Sequence, residues 1–154
     1  MLYDRLLSET KANVFEVDMP LTIKGLYADG NIWINKRIET RAEKACVLVE
    51  ENGHGLKSFG DILDQKESII NRKQELLGRQ WGYEYLIPLD SFIRAHQAGV
   101  RTRYELAEFL GVTEEFLMAS IERYHQRHGL YVDMGDHILH LDPLDITYCF
   151  KIVD

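Results

Sequence analysis

Arg41-Ala-Glu-Lys-Ala-Cys-Val-Leu-Val-Glu-Glu-Asn-Gly-His54 is the stretch on which the reading of this chain turns. Its apolar residues recur at helical spacing, and its last turn carries two adjacent carboxylates and then a histidine. Glu50 and His54 are four apart, so both project from one face of a helix. Glu51 lies about 100° round from Glu50, beside that pair. This is the spacing of the zinc-protease helix His-Glu-x-x-His, in which ligands at i and i+4 flank a general-base glutamate. Here Glu50 stands in the first ligand position.

Outward from that helix, the clearest signal is a hairpin. Ile23-Lys-Gly-Leu-Tyr27 and Asn31-Ile-Trp-Ile-Asn35 flank Ala28-Asp-Gly30, with the Asp-Gly chemistry of a tight turn. Residues 1–14 read as a helix marked by Leu2, Leu6 and Leu7, and residues 14–20 as a short extended piece stopped by Pro20. The central helix is expected over residues 39–54, with Gly55 placed to cap its C-terminus. A loop over residues 56–65 leads to a long helix, residues 67–87, ending before Pro88. Gly78 and Gly82 lie four apart on that helix, each costing about 1 kcal/mol against alanine. Such a cost points to close packing against another helix.

Beyond Leu89 the pattern predicts a short helix over residues 90–96. A helix ending at Gly111 and a second one capped by Thr113 then make a helix-turn-helix pattern. Strands are expected at residues 130–133 and 137–141, with a last extended piece over 146–153. The fold class is therefore α+β: residues 1–88 form a core, and residues 89–154 a helical hairpin plus terminal strands packed on it.

Composition bounds the function. The 154 residues, 45% hydrophobic and 28% charged, suit one compact core with an appendage. A net charge of −7 argues against general affinity for nucleic acid or anionic membrane. Residues 89–154 hold six Lys and Arg against eleven Asp and Glu, and Thr113-Glu-Glu-Phe-Leu117 offers no base-reading side chain where a recognition helix needs one. An apolar face of Phe116, Leu117 and Met118 with an acidic rim suits a basic protein partner instead. The two cysteines, Cys46 and Cys149, are too few for a disulfide scaffold, and no window is apolar enough to span a membrane. A cytoplasmic protein is expected.

Zinc in a catalytic site takes about three protein ligands and keeps a position open. Glu50 and His54 supply two. The third could come from Glu75 on the long helix, with Glu67 and Glu84 on the same helix and Asp61 and Asp64 in the loop as alternatives. A set of carboxylates and one histidine is harder than the usual zinc set and would also accept manganese. Paired glutamates at a helix end also suit a plain solvated face, and a histidine there suits the helix dipole. His125 and His128 fit that account too, while His137 and His140 fall on opposite faces of a strand and cannot simply chelate one ion.

Four blocks in order resemble the ImmA/IrrE family of metallo-endopeptidases, in its phage and mobile-element form. They are Gly25-Leu-Tyr-Ala-Asp-Gly-Asn-Ile-Trp-Ile-Asn35, Lys44-Ala-Cys-Val-Leu-Val-Glu-Glu-Asn-Gly-His54, Gly60-Asp-Ile-Leu-Asp64 and Arg72-Lys-Gln-Glu-Leu-Leu-Gly-Arg-Gln-Trp-Gly-Tyr-Glu-Tyr-Leu-Ile-Pro88. The resemblance implies a small zincin-like domain with metal ligands Glu50, in place of the family's histidine, His54 and Glu75, and with Glu51 as general base. Glu75 is placed by the family pattern, six residues before Trp81, with Gly82 and the run to Pro88 following. Asn52 departs from the motif's apolar position, and Gly55 stands where related phage sequences can have a further histidine. Members act as regulators that bring about cleavage of a helix-turn-helix repressor. The expected function is thus a zinc-dependent endopeptidase acting on such a repressor. The alternative is a metal-free antirepressor that binds it without cutting.

Overall fold

The computed structural model describes residues 2–57 and 68–148. It has mixed helix and sheet, and it divides into two compact units: Met1–Leu86 with Gly111–Thr113, and Ile87–Leu110 with Glu114–Asp154.

The first unit is built on a three-stranded sheet with α2 across it. Helix α1 spans Leu2–Glu9 and strand β1 spans Asn13–Val17. The helix is shorter than the sequence suggested. Both the amide and the hydroxyl of Thr10 turn back onto the Leu6 carbonyl (3.0 and 2.6 Å), and the chain leaves to join the sheet. Strands β2, Gly25–Ala28, and β3, Asn31–Asn35, form the expected hairpin. Asp29 and Gly30 both have positive φ (47° and 78°), the type I′ geometry that Asp-Gly favours. β1 pairs with β3 in parallel, which gives the order β1-β3-β2. Ile32 and Ile34 alternate with Trp33 and are fully buried, each stabilising the fold by about 2 kcal/mol relative to exposure.

Asn35 closes this sheet. It is 2% exposed, and its amide nitrogen donates to the carbonyls of Met19, Pro20 and Ile23 at 2.8–3.1 Å. Its side-chain oxygen accepts from the Arg37 amide at 3.1 Å. A buried polar group is tolerated when it is satisfied, and here it pins the loop between β1 and β2.

Helix α2, Arg41–Lys57, starts after Thr40, whose hydroxyl accepts from the Glu43 amide at 3.1 Å. Ala45, Cys46, Val47, Leu48 and Val49 are all buried, because α2 is covered by α1, by β2 and β3, and by α3. Gly55 does not cap it. The helix runs on for two residues, and Gly55 makes room for an aromatic ring: a Cβ there would lie 2.4 Å from Tyr27 Cε2. Helix α3 spans Ser68–Leu86.

In the second unit, α4 (Asp90–Gln97), α5 (Arg103–Leu110) and α6 (Glu114–His128) precede an antiparallel sheet of β4 (Tyr131–Asp133), β5 (His137–Leu141) and β6 (Leu144–Tyr148), in the order β4-β5-β6. Thr102 and Glu105 form a reciprocal cap at the start of α5: the hydroxyl accepts from the Glu105 amide (3.1 Å) and donates to its carboxylate (2.9 Å). Phe116 and Leu117, expected on a docking face, are 4% and 0% exposed and belong to this unit's core. Met118 alone of the three faces outward. The reason is periodicity: Phe116, Leu117, Ser120, Ile121 and Tyr124 make one buried stripe. His137 stands against the Tyr148 ring (4.6 Å between centroids) and His140 Nε2 lies 3.1 Å from Thr147 Oγ1, so the two histidines do point to opposite faces.

Candidate metal centre

The end of α2 and the middle of α3 meet with no side chain between their backbones. A Cβ on Gly53 would lie 2.2 Å from the Gly78 carbonyl oxygen, and one on Gly78 would lie 2.9 Å from His54 Cδ2. One turn on, Gly82 leaves space for Val49, whose Cγ1 would be 2.6 Å from an added Cβ. The glycine pair on α3 therefore does what its spacing implied. Its partner Gly53 was hidden inside the histidine motif, where a glycine draws no notice.

This approach gathers charge. His54 Nδ1 is 3.3 Å from Glu51 Oε2, and both side chains are largely buried. The carboxylate raises the His54 pKa, chiefly through that bond and against the effect of burial. His54 Nε2, the other ring nitrogen, is buried and has no hydrogen-bond partner among the described residues. Glu50, beside it, has its pKa raised foremost by burial, with the positive charge of Arg79 acting in the opposite direction. From α3, the Glu75 charge acts on both Glu50 and His54. Its carboxylate is half exposed and accepts from Arg79 Nη2 at 2.8 Å.

The four residues marked out by the sequence, Glu50, Glu51, His54 and Glu75, thus share one electrostatic neighbourhood. Asp61, Asp64 and Glu67 lie outside the described residues. Glu84 is exposed and accepts from Gln80 Nε2 at 3.3 Å. Among the described residues, no three His, Cys, Asp or Glu side chains are gathered into a ready ligand set. The residue that sequence reasoning passed over is Arg79. Its position four after Glu75 was the available signal, since a glutamate N-terminal to a cation at i,i+4 forms a helix ion pair.

The donors suit a divalent ion in kind. A carboxylate on Nδ1 is the usual way to orient an imidazole so that Nε2 presents its lone pair. An orphaned buried nitrogen and a partly buried carboxylate both gain from a cation. One imidazole with carboxylates matches zinc or the more oxygen-preferring manganese. By contrast, Cys46 is no ligand. Burial pushes its thiol up to about 11, and its Sγ sits 3.9 Å from Thr113 Oγ1.

A family model described as the IrrE N-terminal-like domain, Peptidase_M78, matches residues 8–122. No curated protein and no solved structure matches the chain. The family match takes in the whole sheet of the first unit, α2, α3 and the glycine contact between them. Peptidase_M78 is a family of metallopeptidases, which implies a divalent ion. No helix among the described residues is long and apolar enough to cross a membrane. With most of its length matched, and with the acidic histidine helix set against a glutamate-bearing partner, the chain belongs to the IrrE N-terminal-like domain family of M78 peptidases.

Proposed function

We propose that this protein is a divalent-metal-dependent endopeptidase of the cytoplasm that relieves repression in a phage or mobile element by cleaving a helix-turn-helix repressor. The observation that carries this reading is the His54 ring: Nδ1 tied to Glu51, Nε2 buried and without a partner among the described residues, with Glu50 beside it. Glu50 takes the first ligand position, with His54 and Glu75 as the others. When bound, the ion supplies a lowered pKa for water and polarises the scissile carbonyl. Glu51 accepts the proton of the attacking water at its carboxylate and passes it to the leaving amine. Its bond to His54 uses Oε2 and leaves Oε1 for that proton. The Gly53–Gly78 contact fixes the distance between the helices, so the α2 and α3 groups stay in register with one another.

Metal content of protein purified without chelator tests this directly, beside a Glu50→Ala/His54→Ala variant. About one zinc or manganese per chain, lost in the variant, is the expected result. Absence of metal from both, even after zinc is added, sinks the peptidase reading. Glu51→Gln is expected to stop cleavage and leave repressor binding intact.

One observation favours a second reading, a metal-free antirepressor that binds without cutting. The Glu75 carboxylate is turned onto Arg79.

A further inference from the structure

We propose that Arg79 is the built-in counter-ion of this centre: it holds Glu75 and competes with a divalent ion for the Glu75 carboxylate. This rests on the peptidase reading above and adds a regulatory element to it. Three carboxylates, Glu50, Glu51 and Glu75, act on one another or on His54 across the α2–α3 contact. Like charges so placed repel, and they need a cation. Arg79 follows Gly78, the residue against which His54 rests. Helical side chains lean toward the helix N-terminus, which carries the guanidinium back over Glu75. The result is the 2.8 Å contact to Oε1, while the same charge reaches Glu50 across the seam.

The pair is built to be broken. The Arg79 and Glu75 side chains are 49% and 42% exposed, and an i,i+4 pair of that exposure is weak. A divalent ion offers the same carboxylate twice the charge at shorter range, together with His54 Nε2 as a further donor. The guanidinium can swing into solvent without leaving a buried charge behind. Arg79 thus neutralises the acidic seam when no ion is bound, and it sets the ion concentration at which the site fills.

Calorimetric titration of zinc and of manganese into the chelator-treated chain, Arg79→Gln and Arg79→Lys tests the proposal, with melting temperature as a second readout. Arg79→Gln is expected to melt lower than the natural chain in chelator. It should also bind metal about twofold more tightly, the change that one exposed i,i+4 ion pair corresponds to. Arg79→Lys, which keeps the charge and loses the fork, should fall between them. Equal affinities across the three proteins overturn the competition and leave the peptidase reading standing. Absence of binding in all three overturns both. Should Arg79→Gln fail to fold, the lysine variant decides: tighter metal binding than the natural chain supports the proposal, and equal binding ends it.

Discussion

Two helix pairs in this molecule are closed by different means. α2 and α3 touch through glycine, backbone against backbone at Gly53–Gly78 and with the Val49 side chain seated on Gly82 one turn on. α5 and α6 meet within a core of side chains that includes Leu106, Ala107, Phe116 and Leu117. Helix axes normally lie 8–10 Å apart, and small residues at the contact bring them to the near end of that range. In the glycine pair, the neighbours of the contact are left to project together at its edge, and there they are Glu50, Glu51, His54 and Glu75. In the second pair, the seam itself is filled, and the charged residues Glu114 and Glu115 are turned out to solvent. A seam closed on glycine collects chemistry at its rim, whereas a seam filled by large side chains holds its helices together.

The largest effect should come from filling the glycine seam. Gly53→Ala forces an added carbon to 2.2 Å from a carbonyl oxygen that cannot step aside. A loss of about 3 kcal/mol or more is expected by urea unfolding, together with loss of metal binding. Full stability in that variant would break the comparison. Leu117→Ala, in the filled seam, should cost about 3 kcal/mol through its cavity while leaving metal affinity unchanged in the folded protein.

A buried tyrosine gives the first unit a pH response of its own. Tyr3 donates to the Glu16 carboxylate at 3.1 Å, and burial, then the Glu16 charge, pushes its pKa from 10.0 up to about 12. The folded chain holds that proton more tightly than the unfolded one. Its contribution is therefore intact below pH 10.0 and is lost as the pH rises toward about 12. Melting temperature measured across that window should fall more steeply for the natural chain than for Tyr3→Phe.

The smallest effects should come from the caps, which the two pairs share. Both α2 and α5 begin after Thr-x-x-Glu, at Thr40 with Glu43 and at Thr102 with Glu105. Thr40→Ala and Thr102→Ala should each cost about 1 kcal/mol. Equal costs would show that the pairs differ in their seams and not at their ends.

Much of this was legible in the sequence, and what escaped had physical reasons. Asp-Gly announced the hairpin, and the spacing of Gly78 and Gly82 announced a close helix contact. The Thr-x-x-Glu caps were equally readable, yet the central helix was expected to begin before Thr40. β1 carried only a weak extended signal because its parallel partner β3 is remote in sequence and leaves no local mark. Asn35 gave no sign of burial, since only the folded loop brings its carbonyl partners together. At the candidate site, types and spacing pointed to Glu50, Glu51 and His54. Glu75 needed the family pattern, because nothing local distinguishes it from Glu84. Phe116 and Leu117 read as a surface because a short amphipathic helix does not say which of its neighbours will cover it.

Gly55 and Tyr27 have a consequence for anyone who would re-engineer this centre. Placing an imidazole at position 55, directly after His54, looks like a single-residue improvement. The space it needs is already taken by the Tyr27 ring, 2.4 Å from where the new Cβ would stand. The two positions are therefore one design variable: a side chain on the helix has to be exchanged for one on the strand. Gly55→His alone should be poorly tolerated, and the same change with Tyr27→Ala should be accepted.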